Sequence, residues 1–337
     1  MTDRHTSPTL TISIVNHGNR DQTLALLDAL AGLRVRPDVE VVVLDNASDD
    51  GSVEAIAALR PPVRLIAQPF RAGFGANHNT VIARTGADYV LLLNDDALTT
   101  PEDVDRLVGY MEDHPRVAAA GPAIESPSGA RLQTAWAPLA PAAAARFAVS
   151  AGQSGWVESA ADRPRAVGRL SGCALMLRRA ALPPAPVFDE GFFMYAEDSD
   201  LCARLRAAGH EVHHVPAARV VHRGRQSSSA VPRRRRVEQA RSTHRYLHKH
   251  LGPVARRFVQ LALALGQLEK ALLAGTLSRL LRRPVAGALP GEFADAARDA
   301  LRVPLGPGLR ELADEYNERH AEAEPEPGIP AAPGRGR

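Results

Sequence analysis

The first half of the chain is a series of short apolar runs, each ending in a polar cluster. Leu10 to Val15 is apolar and β-branched, and Asn16-His17-Gly18-Asn19 follows it as a turn. Val39 to Leu44 is a second run, and Val63 to Ala67 a third. Tyr89 to Leu93 is the fourth, apolar without alternation, the pattern of a strand buried on both faces. Between the runs the spacing is helical. Leu24, Leu27 and Leu30 share one face, with Asp21 as the predicted cap and Gly32 as the predicted stop. Val53 to Leu59 predicts a second helix, and Gly73 to Arg84 a loop leading into a third. This alternation predicts an α/β fold, a mostly parallel, doubly wound sheet flanked by helices.

Farther on, Thr100-Pro101-Glu102-Asp103 predicts a helix start, with Thr100 as cap, Pro101 in the first turn and Pro115 beyond the end. Val117 to Ala120 predicts a strand, and Glu125 to Val167 mainly loops with a short helix near Ala142 to Val149. Leu170 to Arg178 is an apolar strand begun by small residues, where Gly172 permits close approach of a ligand or backbone. Phe188 to Asp200 is dense in aromatic and acidic residues; a helix from Leu201 to Ala208 stops at Gly209. Glu211 to Val215 and Arg219 to Val221 predict two short strands leading to His222. Beyond Val231 the pattern turns helical, first with the basic run Arg233 to Arg236, then with the Leu- and Ala-rich Phe258 to Leu281. Residues 321–337 are rich in Pro, Gly, Ala and Glu, the composition of a disordered tail.

The 337 residues, 45% hydrophobic and 23% charged, can bury the core of one large domain or two moderate ones. Net charge is only +3, and the basic excess clusters at Arg233 to Arg236, which points away from nucleic acid as a partner. Two cysteines, Cys173 and Cys202, give no disulfide framework and fit a reducing compartment. The polar start, Met1 to Pro8, has no signal-peptide core, and no apolar run reaches spanning length. The expected location is the cytoplasm, with any membrane contact peripheral, at the inner face of the plasma membrane.

Acidic clusters follow several of the strands: Asp45 with Asp49 and Asp50, Asp95 with Asp96, and Glu197 with Asp198; His222 is a fourth polar site. In an open α/β sheet such strand ends converge where ligands bind. Adjacent carboxylates suit a hard cation, Mg²⁺ or Mn²⁺, that leaves sites for phosphate oxygens and water. The same residues also form turns. A metal-bound diphosphate would use Asp96 and His222, and a carboxylate elsewhere could take a proton from an acceptor hydroxyl. His210, His213 and His214 lie near His222 without the ligand spacing of a zinc site.

Taken together, Thr11-Ile-Ser-Ile-Val-Asn16, Val42-Val-Leu-Asp-Asn-Ala-Ser-Asp-Asp-Gly-Ser52, Gly73-Phe-Gly-Ala-Asn-His-Asn79, Leu91-Leu-Leu-Asn-Asp-Asp96, Gly172-Cys-Ala-Leu-Met-Leu-Arg178, Phe192-Phe-Met-Tyr-Ala-Glu-Asp-Ser-Asp-Leu201 and His222 form an ordered set. In that set the chain resembles the family 2 glycosyltransferases of GT-A fold, notably the rhamnosyltransferase-like branch. The resemblance implies a catalytic domain over residues 1–230, with a donor half at about 9–120 and an acceptor half at about 121–230. It implies an inverting, metal-dependent transferase in cell-envelope polysaccharide synthesis. The donor would be a nucleoside diphosphate sugar, dTDP-rhamnose first or a UDP-hexose otherwise, and the acceptor a glycan or lipid-linked saccharide. It places Asn16, Asp45, Asn46, Gly73, Asn77, Asn94, Asp95 and Gly172 at the donor, Asp96 and His222 at the metal, and Asp198 as general base. Glu197, Arg71 and Arg225 are candidate acceptor or phosphate contacts. Three positions depart from the family pattern: Asn94 begins the Asp-x-Asp motif, Pro69-Phe70-Arg71-Ala72 precedes Gly73, and His17 stands where an aromatic residue is usual.

The rivals are a nucleotidyltransferase or sugar-nucleotide hydrolase, and a scaffold that binds nucleotide sugar without turnover. The turn Asn16 to Asn19 lacks the basic, Gly-rich loop expected of the first. Residues 231–320 form a helical extension whose Phe258 to Leu281 stretch suits a membrane surface, a homodimer partner or the catalytic domain itself. Arg233 to Arg236 suits solvent or an anionic lipid.

Overall fold

Tyr89, Leu91 and Leu93 pack into one apolar cluster while Val90 and Leu92 pack into another, so the fourth apolar run is a strand covered on both faces. The computed structural model around it describes residues 8–149, 162–224, 231–281 and 290–321. In chain order it holds β1 (Leu10–Asn16), α1 (Arg20–Ala29), α2 (Ala31–Arg34), β2 (Val39–Asn46), α3 (Ser52–Ala57), β3 (Arg64–Gln68), α4 (Phe74–Ile82) and β4 (Tyr89–Asn94). There follow β5 (Ala97–Leu98), α5 (Pro101–Asp113), β6 (Val117–Glu125), β7 (Ala135–Trp136), α6 (Pro141–Val149), β8 (Arg165–Ala166), β9 (Arg169–Leu170), β10 (Ala174–Arg178), α7 (Glu197–Ala207) and β11 (Glu211–His222). Helices α8 (Pro232–His250), α9 (Pro253–Leu281), α10 (Pro290–Leu301) and α11 (Leu309–His320) complete it. No described helix is long and apolar enough to cross a membrane.

The main sheet has nine strands in the order β3-β2-β1-β4-β10-β6-β11-β5, with β8 beside β11. Strands β3, β2, β1 and β4 run parallel, and their register aligns Asn16 with Asp45 and Val15 with Asn94. Strand β10 is antiparallel to β4 and β6, so its amino end meets the carboxyl end of β4. Strand β11 runs parallel to β6 and brings His222 opposite Ala97. The polar strand ends therefore share one edge. Helices α1 and α5 cover one face; α4 and α7 cover the other.

Several local expectations change. Asn19, not Asp21, takes the cap position of α1, and no side chain caps it, because the Asn19 amide is turned toward Asp95. Helix α1 ends at Ala29, and Gly32 lies inside α2. Strand β6 runs on through Gly121-Pro122 to Glu125; Pro122 is tolerated because it faces Val215, next to an irregularity in β11. That irregularity also joins the two expected short strands into one β11. Helix α7 starts at Glu197 rather than Leu201, after Tyr195 and Ala196 take left-handed conformations with φ of 69° and 63°. Thr100 caps α5 as expected, accepting from the Asp103 amide. Cys173 and Cys202 are buried and unpaired as thiols.

The C-terminal helices pack against α6 and α7 of the preceding part of the chain. Arg245 and Lys249 of α8 pair with Asp189, and Lys249 and His250 reach Asp200 of α7 at 2.8 and 2.7 Å. Two arginines of the basic run are paired within the chain, Arg234 with Glu315 and Arg236 with Asp295 and Asp299, while Arg233 stays exposed. The expected disordered tail lies outside the described residues, apart from Ala321.

Asp200 gives this packing a pH signature. Burial pushes its carboxyl up, but hydrogen bonds from His250, Lys249 and Arg204 outweigh burial and hold it at about 2, below the ordinary 3.8. A depressed folded value contributes stability that is present above about 4 and lost as pH falls through about 2. Asp200→Asn is expected to cost about 2 kcal/mol at neutral pH. The gap between variant and wild type should close between pH 4 and 2 in denaturant titrations, roughly the interval between the two values. A pH-independent gap would show that the ion pairs are not its source.

Candidate active site

Asn16 ends β1 and Asp45 nearly ends β2, and the parallel register sets them side by side. The Asn16 amide donates to Asp45 Oδ2 at 2.6 Å and to Ser48 Oγ at 3.0 Å. The Ser48 backbone N–H donates to Asp45 Oδ1 at 2.9 Å, so both oxygens of this buried carboxylate are fixed, each keeping a second lone pair. On the next strand the Asn19 amide donates to Asp95 Oδ2 at 3.0 Å. His17 sits between, its Nδ1 donating to the Asn46 carbonyl, and burial lowers its pKa.

Asp95 and Asp96 follow β4, both nearly buried. Burial raises the Asp95 carboxyl to about 6; the Asn19 hydrogen bond opposes the rise, and the Asp96 charge adds to it. His222 Nε2 lies 3.1 Å from Asp96 Oδ1. Asp96 facing the His222 imidazole offers a pair of oxygen and nitrogen donors of the kind a divalent cation takes, with Asp95 the next residue along the chain. Among the described residues no group of three or more His, Cys, Asp or Glu side chains is placed to hold a metal. The remaining coordination sites of such a cation would fall to diphosphate oxygens and water. His213 belongs elsewhere, bonded to Tyr110 and Glu211.

One backbone step links this edge to the second half of the site. The Asn94 N–H donates to the Cys173 carbonyl at 2.9 Å, and the neighbouring Gly172 N–H donates to Asp198 Oδ2 at 2.9 Å. The Ser199 N–H and hydroxyl donate to Asp198 Oδ1 at 2.5 and 3.1 Å. A side chain at Gly172 would meet the Phe74 ring at 3.0 Å, so glycine permits this approach. Asp198 is half-buried, in the first turn of α7 just past the strained Tyr195-Ala196 pair. Glu197 is buried, and its Oε2 has no hydrogen-bond partner. Burial, with the Asp198 charge beside it, pushes the Glu197 carboxyl well above its usual range.

Other candidates hold the framework. Asn46 and Asn77 are spent on the loop before α4: Asn46 exchanges hydrogen bonds with the backbone of Ala72, Asn77 donates to the Ala72 carbonyl, and Gln68 bridges both side chains. Gly73 packs on Phe193, whose carbonyl accepts from the Phe74 N–H at 2.9 Å; an added Cβ would stand 2.3 Å from that oxygen. Gly73→Ala is therefore expected to lose about 1–3 kcal/mol of stability, read as a lowered melting temperature. An unchanged melt would mean the two loops separate freely. The Arg71 guanidinium stacks on Tyr316 at 3.7 Å, and Asn317 bonds both the N–H and the carbonyl of Arg71. Arg225 lies outside the described residues. Sequence reasoning passed over Asn19, Ser48 and Gln68, all in or beside the quoted motifs. It also passed over Arg169, a half-buried guanidinium within reach of the Asp198 charge.

Comparison with known proteins gives the family and the fold. The family model described as Glycosyl transferase family 2 matches residues 11–181. An N-acetylglucosaminyl-diphospho-decaprenol L-rhamnosyltransferase of Mycobacterium tuberculosis is 31% identical over 244 residues, covering 66% of this chain and 80% of that protein. Rhamnosyltransferase WbbL of Escherichia coli is 26% identical over 246 residues, covering 70% of this chain and 91% of that protein. Among solved structures, a mannosyltransferase from Pyrobaculum calidifontis in complex with GDP-Man and Mn²⁺ aligns with a TM-score of 0.54 at 18% identity, over 94% of this chain and 85% of that one. That likeness is one of fold, the GT-A fold.

Proposed function

The chain belongs to glycosyl transferase family 2, and from that premise we propose that it moves a rhamnosyl residue from a nucleoside diphosphate donor to a lipid-linked saccharide, with inversion and with a divalent cation. The observation that carries this reading is Asp198, a carboxylate held by the backbone N–H groups of Gly172 and Ser199, where Gly172 precedes Cys173, whose carbonyl accepts from Asn94 beside Asp95 and Asp96. The rhamnosyl choice and the lipid-linked acceptor follow the two curated relatives, whose names state rhamnosyl transfer and, for one, a diphospho-decaprenol acceptor.

Inversion needs one in-line displacement. Asp198 takes the proton of the acceptor hydroxyl as its oxygen bonds to the anomeric carbon, and the bond from that carbon to the diphosphate oxygen breaks with its electron pair going to the diphosphate. Asp96 and His222 would hold the cation, which supplies Lewis-acid stabilisation of the departing diphosphate. Asp45 and Asn16, already locked to each other, present a fixed polar surface for the nucleotide.

The test is thermal shift with UDP-, dTDP- and GDP-sugars, with and without Mg²⁺ or Mn²⁺, followed by transfer of labelled sugar to a polyprenyl-diphosphate-linked saccharide. A metal-dependent shift with dTDP-rhamnose and labelled lipid product are the expected results. A shift confined to UDP- or GDP-sugars would overturn the rhamnosyl assignment, and free sugar without lipid product would indicate a hydrolase.

A further inference from the structure

Helix α9 leaves a stripe of large apolar side chains bare, with Leu273 exposed beside its far end. Val254, Phe258, Leu261, Leu265, Leu268 and Leu272 are exposed by 83, 46, 50, 49, 46 and 71%. Their spacing alternates four and three residues throughout, the a/d repeat of a helix that packs against another helix. The rotation of α9 is set by its own chain. Val259, Ala262 and Ala264 are buried, and Gly266 presses on Phe147 of α6 so closely that a Cβ would stand 2.6 Å from the ring. With that side held by α6 and α10, the a/d stripe faces outward.

We propose that this stripe is covered by a second copy of the chain, α9 against α9 in antiparallel sense across a two-fold axis level with residue 263. An isologous contact needs a surface that complements itself. A stripe spaced four-three-four-three-four does so when reversed: Phe258 meets Leu268 of the second copy, Leu261 meets Leu265, and Val254 meets Leu272. The rim charges choose the direction. Lys270 is drawn back onto the Phe147 ring at 5.2 Å, leaving Glu269 as the charge near that end of the stripe and exposed Arg257 near the other. Antiparallel pairing sets Arg257 level with Glu269 of the second copy; parallel pairing would set Arg257 level with itself.

The size also fits. The six side chains leave on the order of 600 Å² of apolar surface uncovered per copy, close to the roughly 800 Å² per partner of a standard interface. A helix lying on lipid has instead a broad apolar face with a charged opposite face reaching the headgroups. Here the opposite face is packed against α6 and α10, and, Leu273 apart, the exposed apolar side chains follow a seam as narrow as that between two helices. The dimer is independent of the sugar chemistry argued above.

The experiment is light scattering on the size-separated full chain at micromolar concentration, with flotation on vesicles of anionic phospholipid in parallel. The expected mass is twice 36.1 kDa, falling to 36.1 kDa for Leu261→Lys/Leu265→Lys with an unchanged circular dichroism spectrum. A second pair of variants keeps the test independent of that charge insertion. Phe258→Cys/Leu268→Cys should form a covalent dimer on mild oxidation, whereas Phe258→Cys alone should not, because the two copies of position 258 stand about 15 Å apart along the axis. A monomeric wild type, whether it floats with vesicles or not, would overturn the proposal. So would cross-linking by Phe258→Cys alone, which requires parallel helices.

Discussion

Asp198→Asn is expected to lower the rate of sugar transfer about 10²–10⁴-fold, the usual worth of a positioned general base. Donor binding should survive, because the carboxylate is held from the Gly172 and Ser199 side of the site and makes no contact with Asp95 or Asp96 among the described hydrogen bonds. Asn keeps the size of the side chain but not its two acceptors. Both Asp198 oxygens accept backbone N–H groups, so an amide must give up one of them, at a cost of about 1 kcal/mol. A melting curve separates that structural loss from the catalytic one. The decisive measurement is the split between kcat, which should fall, and the apparent donor affinity, which should not. A variant that still transfers sugar at the wild-type rate would remove Asp198 from the mechanism.

How far the sequence anticipates this site depends on where each contact comes from. Strand β4 is legible because burial on both faces writes itself as an unbroken apolar run, and β1 and β2 because their short runs are rich in Ile, Val and Leu despite Thr11, Ser13 and Glu40. Their polar ends were legible because parallel strands must finish at a common edge. The pairing of Asn16 with Asp45 follows from that register alone. The pairing of Asn19 with Asp95 does not: it joins residues 76 apart through the lateral approach of two turns. The start of α7 was hidden for a different reason. The chain turns at Tyr195 and Ala196 with positive φ, where a reader of sequence looks for glycine or asparagine.

The loop around Arg71 shows the limit most plainly. Its departure from the family pattern was visible, and an isolated arginine beside a donor site invites a phosphate role. Its guanidinium instead stacks on Tyr316, and Asn317 holds its backbone from 246 residues away. Nothing local encodes that contact; it arises because α11 lies across the loop. The basic run Arg233 to Arg236 is similar. Clustered charge reads as a surface for anions, yet Arg234 and Arg236 find Glu315, Asp295 and Asp299 only once the helices have folded back.

Asp96→Asn separates the half of the site proposed to hold the metal from the half proposed to take the proton. The substitution keeps the volume at the end of β4 and removes the charge that faces His222 at 3.1 Å. Lewis-acid stabilisation of a departing diphosphate is worth several kcal/mol, so transfer should fall on the order of 10³-fold. Unlike Asp198→Asn, this variant should also lose the metal-dependent part of the donor-induced thermal shift. His222→Ala should act in the same direction but more weakly, needing roughly 10–100-fold more Mg²⁺ or Mn²⁺ for half-maximal rate. The two halves therefore predict opposite patterns: donor and metal binding intact with slow chemistry for Asp198→Asn, and weakened metal-linked binding for Asp96→Asn. If Asp96→Asn kept the full metal-dependent shift, the cation would have to sit on other groups, and Asp95 would be the next to replace.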